Sequence, residues 1–308
     1  MRGKMGKTAF VFPGQGSQYI GMGKDFYDND PKSKEIFELA SKASGLDVAA
    51  LCFEENENIN ITEYTQIAML ATELAILQAV EGAGVKADVT AGLSLGEYGA
   101  VYTAGVMGAE DILRLVRKRG IYMQEAVPEG GAMTAVLGLD TVAIEKICEE
   151  TPGMVQIANY NCPGQIVITG ESAAVEAASL KLTEAGAKRC VPLKVSGPFH
   201  SPLLVGAGEK LREELASVSL KEIKIPYLSN VTADYVKDIG QVKPLLERQV
   251  SSSVRWQQSV ERMLADGVDT FIEIGPGKTL TGFMKKINKD VRAFNIEKYE
   301  DLEKLKEL

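Results

Sequence analysis

Apolar positions along this chain change their period several times, and each change marks a predicted element. Thr8-Ala9-Phe10-Val11-Phe12 is a short β-rich run closed by Pro13-Gly14-Gln15-Gly16-Ser17-Gln18, which predicts a strand entering a tight turn. From Tyr64 to Val80, Ile67, Leu70, Ala71, Leu74 and Leu77 recur at helical spacing until Gly82 and Gly84 stop the pattern. A strand is predicted from Val89 to Leu93. After Ser94, the small residues Gly99-Ala100-Val101 through Ala104-Gly105 suit a closely packed helix, and a second helix runs from Ala109 to about Ala126. Strands alternating with helices predict a parallel sheet covered on both faces.

The pattern changes after Val127-Pro128-Glu129-Gly130-Gly131. Six elements follow closely: strand Met133 to Leu137, helix Val142 to Glu150, strand Val155 to Tyr160, strand Gln165 to Thr169, helix Ala173 to Ala185 and strand Lys188 to Leu193. The order β-α-β-β-α-β is that of a ferredoxin-like unit, with Asn161-Cys162-Pro163-Gly164 as the central hairpin. Alternation of helices and strands then resumes with a helix after Pro202, a strand at Ile225 to Ser229, a helix from Trp256 to Leu264, and a strand Thr270 to Ile274 entering Gly275-Pro276-Gly277. The chain therefore reads as an α/β protein. An α/β-hydrolase-like core with a parallel sheet spans 1–127 and 198–308, and a smaller inserted ferredoxin-like (βαββαβ) domain spans 128–197. A cleft between the two is the expected place for a site. The charged tail Glu297 to Leu308 is predicted as an exposed helix, and Glu54 to Asn58 as a solvated loop.

Composition narrows the function classes. The 308 residues are 45% hydrophobic and 25% charged, and no stretch is long and apolar enough to cross a bilayer, so a membrane role is disfavoured. With 34 Lys and Arg against 42 Asp and Glu, the net charge of −8 disfavours a nucleic-acid binder held by phosphate contacts. The basic start Met1-Arg2-Gly3-Lys4-Met5-Gly6-Lys7 is followed by too short an apolar run for a secretory signal, which predicts a cytoplasmic protein. Cys52, Cys148, Cys162 and Cys190 form no C-x-x-C pair and are expected as reduced, mostly buried thiols. Only Cys162, in its Pro-Gly loop, offers a cysteine nucleophile, and a single histidine leaves a zinc site poorly supplied, so no metal is expected.

That one histidine, His200, lies in Ser196-Gly197-Pro198-Phe199-His200-Ser201-Pro202, downstream of the pentapeptide Gly92-Leu93-Ser94-Leu95-Gly96. The pentapeptide fits G-x-S-x-G between a strand and a small-residue helix, the context in which a sharp turn presents a serine hydroxyl at a helix N-terminus. The alternative is a glycine-rich turn whose serine only caps the helix. A serine hydroxyl is a poor nucleophile without a base, and an imidazole suits that task near neutral pH. The Gly14-Gln15-Gly16 turn, if its strand lies beside that before Ser94, can bring the Gln15 N–H as a second oxyanion donor beside that of Leu95. Two prolines and a glycine stiffen the His200 segment, and Phe199 can shield the ring. No Asp or Glu stands out as its orienter, so a main-chain carbonyl is an alternative to the acidic triad member. Arg119 reads either as surface charge, like Arg114, Arg117 and Lys118, or as a planar fork for a substrate carboxylate.

Together, Gly14-Gln15-Gly16-Ser17-Gln18, Gly92-Leu93-Ser94-Leu95-Gly96-Glu97-Tyr98, Arg119-Gly120 with Met123-Gln124, Asn161-Cys162-Pro163-Gly164-Gln165, Gly197-Pro198-Phe199-His200-Ser201 and Glu273-Ile274-Gly275-Pro276-Gly277 resemble the malonyl-CoA:acyl carrier protein transacylases of fatty-acid synthesis. The resemblance implies an acyltransferase in which Ser94 is acylated, His200 is the general base and acid, and Gln15 and Leu95 supply the oxyanion N–H groups. It further implies that Arg119 grips the malonyl carboxylate, that the main-chain carbonyl of Gln249 orients the imidazole, and that Asn161 and Gln165 line the cleft. Phe199 before the histidine is the family's malonyl-type choice. Leu93 departs from the pattern, since members usually carry histidine there. Malonyl-CoA and phosphopantetheinylated acyl carrier protein would be substrates, with no cofactor. Lys181, Lys188, Arg189, Lys285, Lys286 and Lys289 offer a basic landing area for the acidic carrier. Two rivals remain: a serine hydrolase or thioesterase of the α/β-hydrolase type, and a non-catalytic carrier-binding module.

Overall fold

A computed structural model describes residues 6–195 and 197–308; the basic start through Met5 and Ser196 of the histidine segment lie outside the described residues. Among the described residues, eight strands form two four-stranded sheets: β1 (Lys7–Phe12), β2 (Val89–Gly92), β3 (Gly131–Leu137), β4 (Val155–Cys162), β5 (Gln165–Glu171), β6 (Arg189–Pro192), β7 (Val268–Ile274) and β8 (Arg292–Ile296). The first sheet has the order β2-β1-β7-β8 and is parallel throughout. The second has the order β4-β5-β3-β6 and is antiparallel.

Period-two alternation along β1 explains why the parallel sheet is covered on both faces. Phe10 and Phe12 enter the larger core, with Ile67, Leu70 and Leu74 of helix Thr62–Gly82, whereas Ala9 and Val11 point the other way, toward Trp256, Val260 and Phe271. In the antiparallel sheet, Val136, Ile157, Ile166 and Ile168 pack under helices Thr141–Glu149 and Ser172–Glu184, through Ile144, Cys148, Val175 and Leu182. Its opposite face carries Met133, Ala135, Asn159, Asn161 and Val167, which line a cleft against the parallel sheet. The two sheets are stitched at the residues after Gln249: Tyr160 N donates to Val254 O (2.9 Å), Val254 N donates to Ala158 O (2.7 Å), and Ser253 Oγ donates to Ile157 O.

Several expectations are corrected. Ile225 to Ser229 is no strand but a run with one parallel bridge, Thr90 to Tyr227, because Pro226 has no N–H to donate and the chain turns away after Asn230. The hairpin of the small sheet is tighter than predicted: β4 continues through Asn161 and Cys162, leaving Pro163-Gly164 as the turn. Cys162 is buried within a strand, and burial pushes its thiol pKa up, so it is not poised as a nucleophile. The tail does form a helix, a 3-10 helix over Tyr299–Glu307, but it is not wholly exposed, because Leu305 is buried in the larger core. Helices Pro31–Ser44, Val242–Gln249 and Thr279–Ile287 and strand β8 were not anticipated.

The close approach of backbones at the end of β2 is what admits glycine alone. A Cβ at Gly92 would overlap the Gly96 carbonyl, and a Cβ at Gly96 would overlap the Phe12 carbonyl. Gly282, mid-helix in Thr279–Ile287, faces open space. Gly96→Ala should therefore destabilise the fold by roughly 3 kcal/mol or more, while Gly282→Ala should stabilise it by about 0.5–1 kcal/mol. Urea unfolding of both variants checks the pair, and a neutral Gly96→Ala would show that this turn is not sterically closed.

Candidate active site

Strand β2 ends at Gly92, and helix Gly96–Thr103 begins just beyond it, so Leu93, Ser94 and Leu95 make the whole turn between them. Ser94 takes φ +54°, a left-handed conformation that costs a non-glycine residue on the order of 1–3 kcal/mol unless its surroundings enforce it. The parallel pairing of β1 with β2 sets Phe12 beside Gly92, which delivers the Gly14-Gln15-Gly16 turn to the same end of the sheet. Gln15, Ser94, Leu95, Arg119, Asn161, Gln165, Phe199 and His200 all line one cleft of about 370 Å³.

Within it, Ser94 Oγ and His200 Nε2 are 2.8 Å apart, although 106 positions separate the residues. His200 Nδ1 lies 2.9 Å from the main-chain carbonyl of Gln249. A carbonyl only accepts, so Nδ1 carries the proton and Nε2 is left free to accept the serine hydroxyl proton. Gln249, the residue expected to orient the ring, meets it through its main chain, and among the described residues no Asp or Glu takes that place. His200, too, has a positive φ, +61°. Its N–H donates to Val250 O, and its carbonyl accepts from the Gln156 side chain of β4 at 2.9 Å. Burial lowers the imidazole pKa to about 4, helped by the Arg119 charge and opposed by the Gln249 carbonyl.

Arg119 is no surface residue: it is 1% exposed. Its guanidinium donates to Gln66 Oε1 (2.7 Å), Gln249 Oε1 (2.9 Å) and Ser94 Oγ (3.2 Å), all neutral oxygens. Tyr98 covers it, with the ring centroid 5.3 Å away, and Arg119 Nε has no acceptor among the described residues. A buried cation without an anionic partner is poised for a carboxylate. Arg117, by contrast, has an anionic partner in Glu63 and also donates to its carbonyl, although its side chain is only 14% exposed rather than at the surface as expected.

Neither the Leu95 nor the Gln15 main-chain N–H has an acceptor among the described residues, and both residues border the cleft. Gln15 is held from behind by its side chain, which donates to Thr62 Oγ1 at 3.1 Å. Phe199 is buried beside His200, and Asn161 Oδ1 is buried without a partner among the described residues. Gln165 sits at the rim, accepting from Lys286 Nζ at 3.2 Å. Of the other predicted basic residues, Lys188, Arg189, Lys285 and Lys289 are exposed, whereas Lys181 is tied to Glu150 O and Thr151. Among the described residues no three His, Cys, Asp or Glu side chains converge as a metal site, and no helix is long and apolar enough to cross a membrane.

Sequence reasoning missed four supporting residues: Gln66, Glu97, Gln156 and Asn230. Gln66 carried only a weak signal, as one of several polar residues, with Thr65, Thr72 and Glu73, on a mostly apolar helix. Asn230 carried none, since its role depends on a fold-back of 136 positions.

The chain is similar to known proteins along nearly its whole length. A family described as the acyl transferase domain matches residues 9–306. A malonyl CoA-acyl carrier protein transacylase of Bacillus subtilis (strain 168) is 45% identical over 304 residues, covering 97% of this chain and 96% of its own. The crystal structure of a malonyl CoA-acyl carrier protein transacylase from Clostridium perfringens superposes with a TM-score of 0.94 at 46% identity, covering 98% of this chain and 96% of that one. A type II PKS acyl-carrier protein in complex with its malonyl-transacylase gives 0.93 at 40% identity, covering 96% and 97%. The chain belongs to the acyl transferase family, in the group of the malonyl CoA-acyl carrier protein transacylases.

Proposed function

We propose that this protein transfers malonyl from malonyl-CoA to the phosphopantetheine thiol of an acyl carrier protein, through a malonyl ester of Ser94, in fatty-acid synthesis. The observation that carries the reading is the 2.8 Å contact between Ser94 Oγ and a His200 whose Nδ1 is engaged by Gln249, beside a buried guanidinium. Ser94 Oγ attacks the thioester carbonyl while His200 Nε2 takes its proton. The carbonyl oxygen becomes an oxyanion held by the Leu95 and Gln15 N–H groups, each such donor being worth about 2.7–4 kcal/mol. Collapse breaks the C–S bond, and CoA leaves with the proton from His200. The carrier thiol then gives its proton to His200, attacks the ester, and Ser94 recovers the proton as it leaves. Malonyl-CoA and the carrier thiol are substrates in this scheme, and His200 does all the proton transfer.

Arg119 reads the free carboxylate of the malonyl unit, with Phe199 closing the pocket and Asn161 and Gln165 lining its approach. Relatives bearing the transacylase name, and the relative solved with its acyl-carrier protein, support the choice of substrates. A serine hydrolase is not favoured, because the imidazole is oriented by a carbonyl and Arg119 has no anionic partner of its own. We read the antiparallel sheet and its two helices as a ferredoxin-like insert over 128–197 on an α/β-hydrolase-like core of 1–127 and 198–308. The chain order βαββαβ and the sheet order β4-β5-β3-β6 support that division. We also read the protein as cytoplasmic, a reading its acidic charge and four free cysteines support.

Four outcomes are expected. Intact mass after malonyl-CoA treatment should show one malonyl adduct that Ser94→Ala abolishes, and an undiminished adduct would remove Ser94 from the mechanism. Arg119→Ala should cut malonyl transfer by about 100-fold or more, on the order expected for a buried charge pair, and acetyl transfer far less; equal losses in competition assays would show that the guanidinium does not read the carboxylate. A base works only when neutral, and with a pKa of about 4 His200 is neutral at every pH above that value. The acylation rate should thus hold level as pH falls from neutrality and drop only on approaching 4, rather than near the ordinary value of 6.5. Arg119→Met, which removes a charge opposing imidazolium, should move that acid limb upward; stopped-flow pH profiles of both proteins measure it.

A further inference from the structure

The sheet's hydrogen-bond ladder runs past the end of its last strand. Beside β2, Thr90 N donates to Pro226 O (2.9 Å) and Leu228 N donates to Thr90 O (3.2 Å), as in a parallel pair. Two residues further on, the backbones diverge, and the side chain of Asn230 takes the place of a peptide group. Its Nδ2 donates to Gly92 O (2.6 Å), and its Oδ1 accepts from Ser94 N (2.7 Å). Asn230 is 1% exposed. Its own N–H is turned toward Glu97 Oε2 (3.1 Å), which also accepts from Gln249 Nε2 (2.7 Å), and that same Nε2 donates to Ser94 O at 2.8 Å.

We propose that Asn230 is a positioning residue for the nucleophile, supported by Glu97 and the Gln249 side chain. The proposal rests on the reading of Ser94 as the acylated residue. Two successive N–H groups leave the turn at Ser94 and Leu95. Asn230 engages the first and so leaves the second alone to face the oxyanion. By bridging Gly92 and Ser94 it also holds Ser94 at its positive φ, which sets the direction of Oγ toward His200. Gln249 extends the arrangement: its main chain holds the imidazole, while its side chain holds the Ser94 carbonyl and the Arg119 guanidinium. One amide pair thus fixes nucleophile, base and carboxylate reader relative to one another. The charged and titratable groups facing Asn230 are Glu97 directly, and Arg119 and His200 through Gln249 and Ser94.

The test compares Asn230→Ala and Asn230→Asp with the parent, following Ser94 acylation by malonyl-CoA in rapid-quench mass spectrometry. Asn230→Ala should lower the acylation rate about 100-fold, the scale of a small misplacement of reacting groups, with KM for malonyl-CoA little changed. In Asn230→Asp the neutral acid can reproduce both bonds, its hydroxyl donating to Gly92 O and its carbonyl accepting from Ser94 N. The ionised form cannot, since it sets an anion against the Gly92 carbonyl. Its rate relative to the parent should therefore rise as pH is lowered over roughly 9 to 5.5, because burial raises a carboxyl pKa. An Asn230→Ala rate within about threefold of the parent, or a loss seen wholly in KM, would overturn the proposal. If Asn230→Ala does not fold, the Asp variant decides, and a relative rate that stays flat or falls toward low pH overturns it as well. The parent adduct and its loss in Ser94→Ala are measured in the same series, so failure of the nucleophile itself would be seen separately.

Discussion

Arg119 holds a full positive charge almost entirely out of water, and every bond it makes goes to a neutral oxygen. Such a group is costly to bury, and the surrounding residues are arranged to tolerate it without neutralising it. Two glutamines fix the fork, one from the long buried helix and one from the helix before the sheet-linking segment, and Tyr98 covers its face. The nearest carboxyl group, Glu97, is reached only through the amide of Gln249, and burial raises its pKa to about 7 against the pull of that amide, Asn230 and the guanidinium. The unmet charge also acts on the imidazole and disfavours its protonation. One buried cation therefore lowers the imidazole pKa and, in the function proposed above, is relieved by the carboxylate of an incoming acyl group.

The turn residues that the structure gathers in the cleft were legible in the sequence because they sit in rigid local contexts, whereas Arg119 read equally as a surface charge until the family resemblance was drawn. Gly92 and Gly96 report backbone contacts that no side chain could survive, and the glycine turn around Gln15 follows a strand whose alternation is unambiguous. The residues behind them were not legible. Gln249 was anticipated only through its main-chain carbonyl, yet its side chain also reaches Arg119, Ser94 and Glu97. Asn230 and Gln156 act on partners far along the chain, and nothing local distinguishes such residues from solvated amides.

The fold was misread where local signals conflicted or were passed over. Ile225 to Ser229 has strand composition, but Pro226 and the turn after Asn230 confine its pairing with β2 to a single bridge, and that incompleteness is what allows a side chain to finish the ladder. Helix Pro31–Ser44 carries an Asp30 cap, a proline at its first position and a left-handed Gly45 at its end, all readable signals that apolar periodicity alone did not bring forward. In the tail, the expected helix forms but Leu305 enters the core, so charge density misled only about exposure.

That His200 is the chain's sole histidine has an experimental corollary. In a nitrogen-edited magnetic resonance spectrum, one ring would supply every imidazole signal of the polypeptide, so tautomer and ionisation could be followed without resonance assignment. Ring acylation by diethyl pyrocarbonate would likewise have a stoichiometric ceiling of one imidazole, and shielding by a bound thioester would register as a clean decrease.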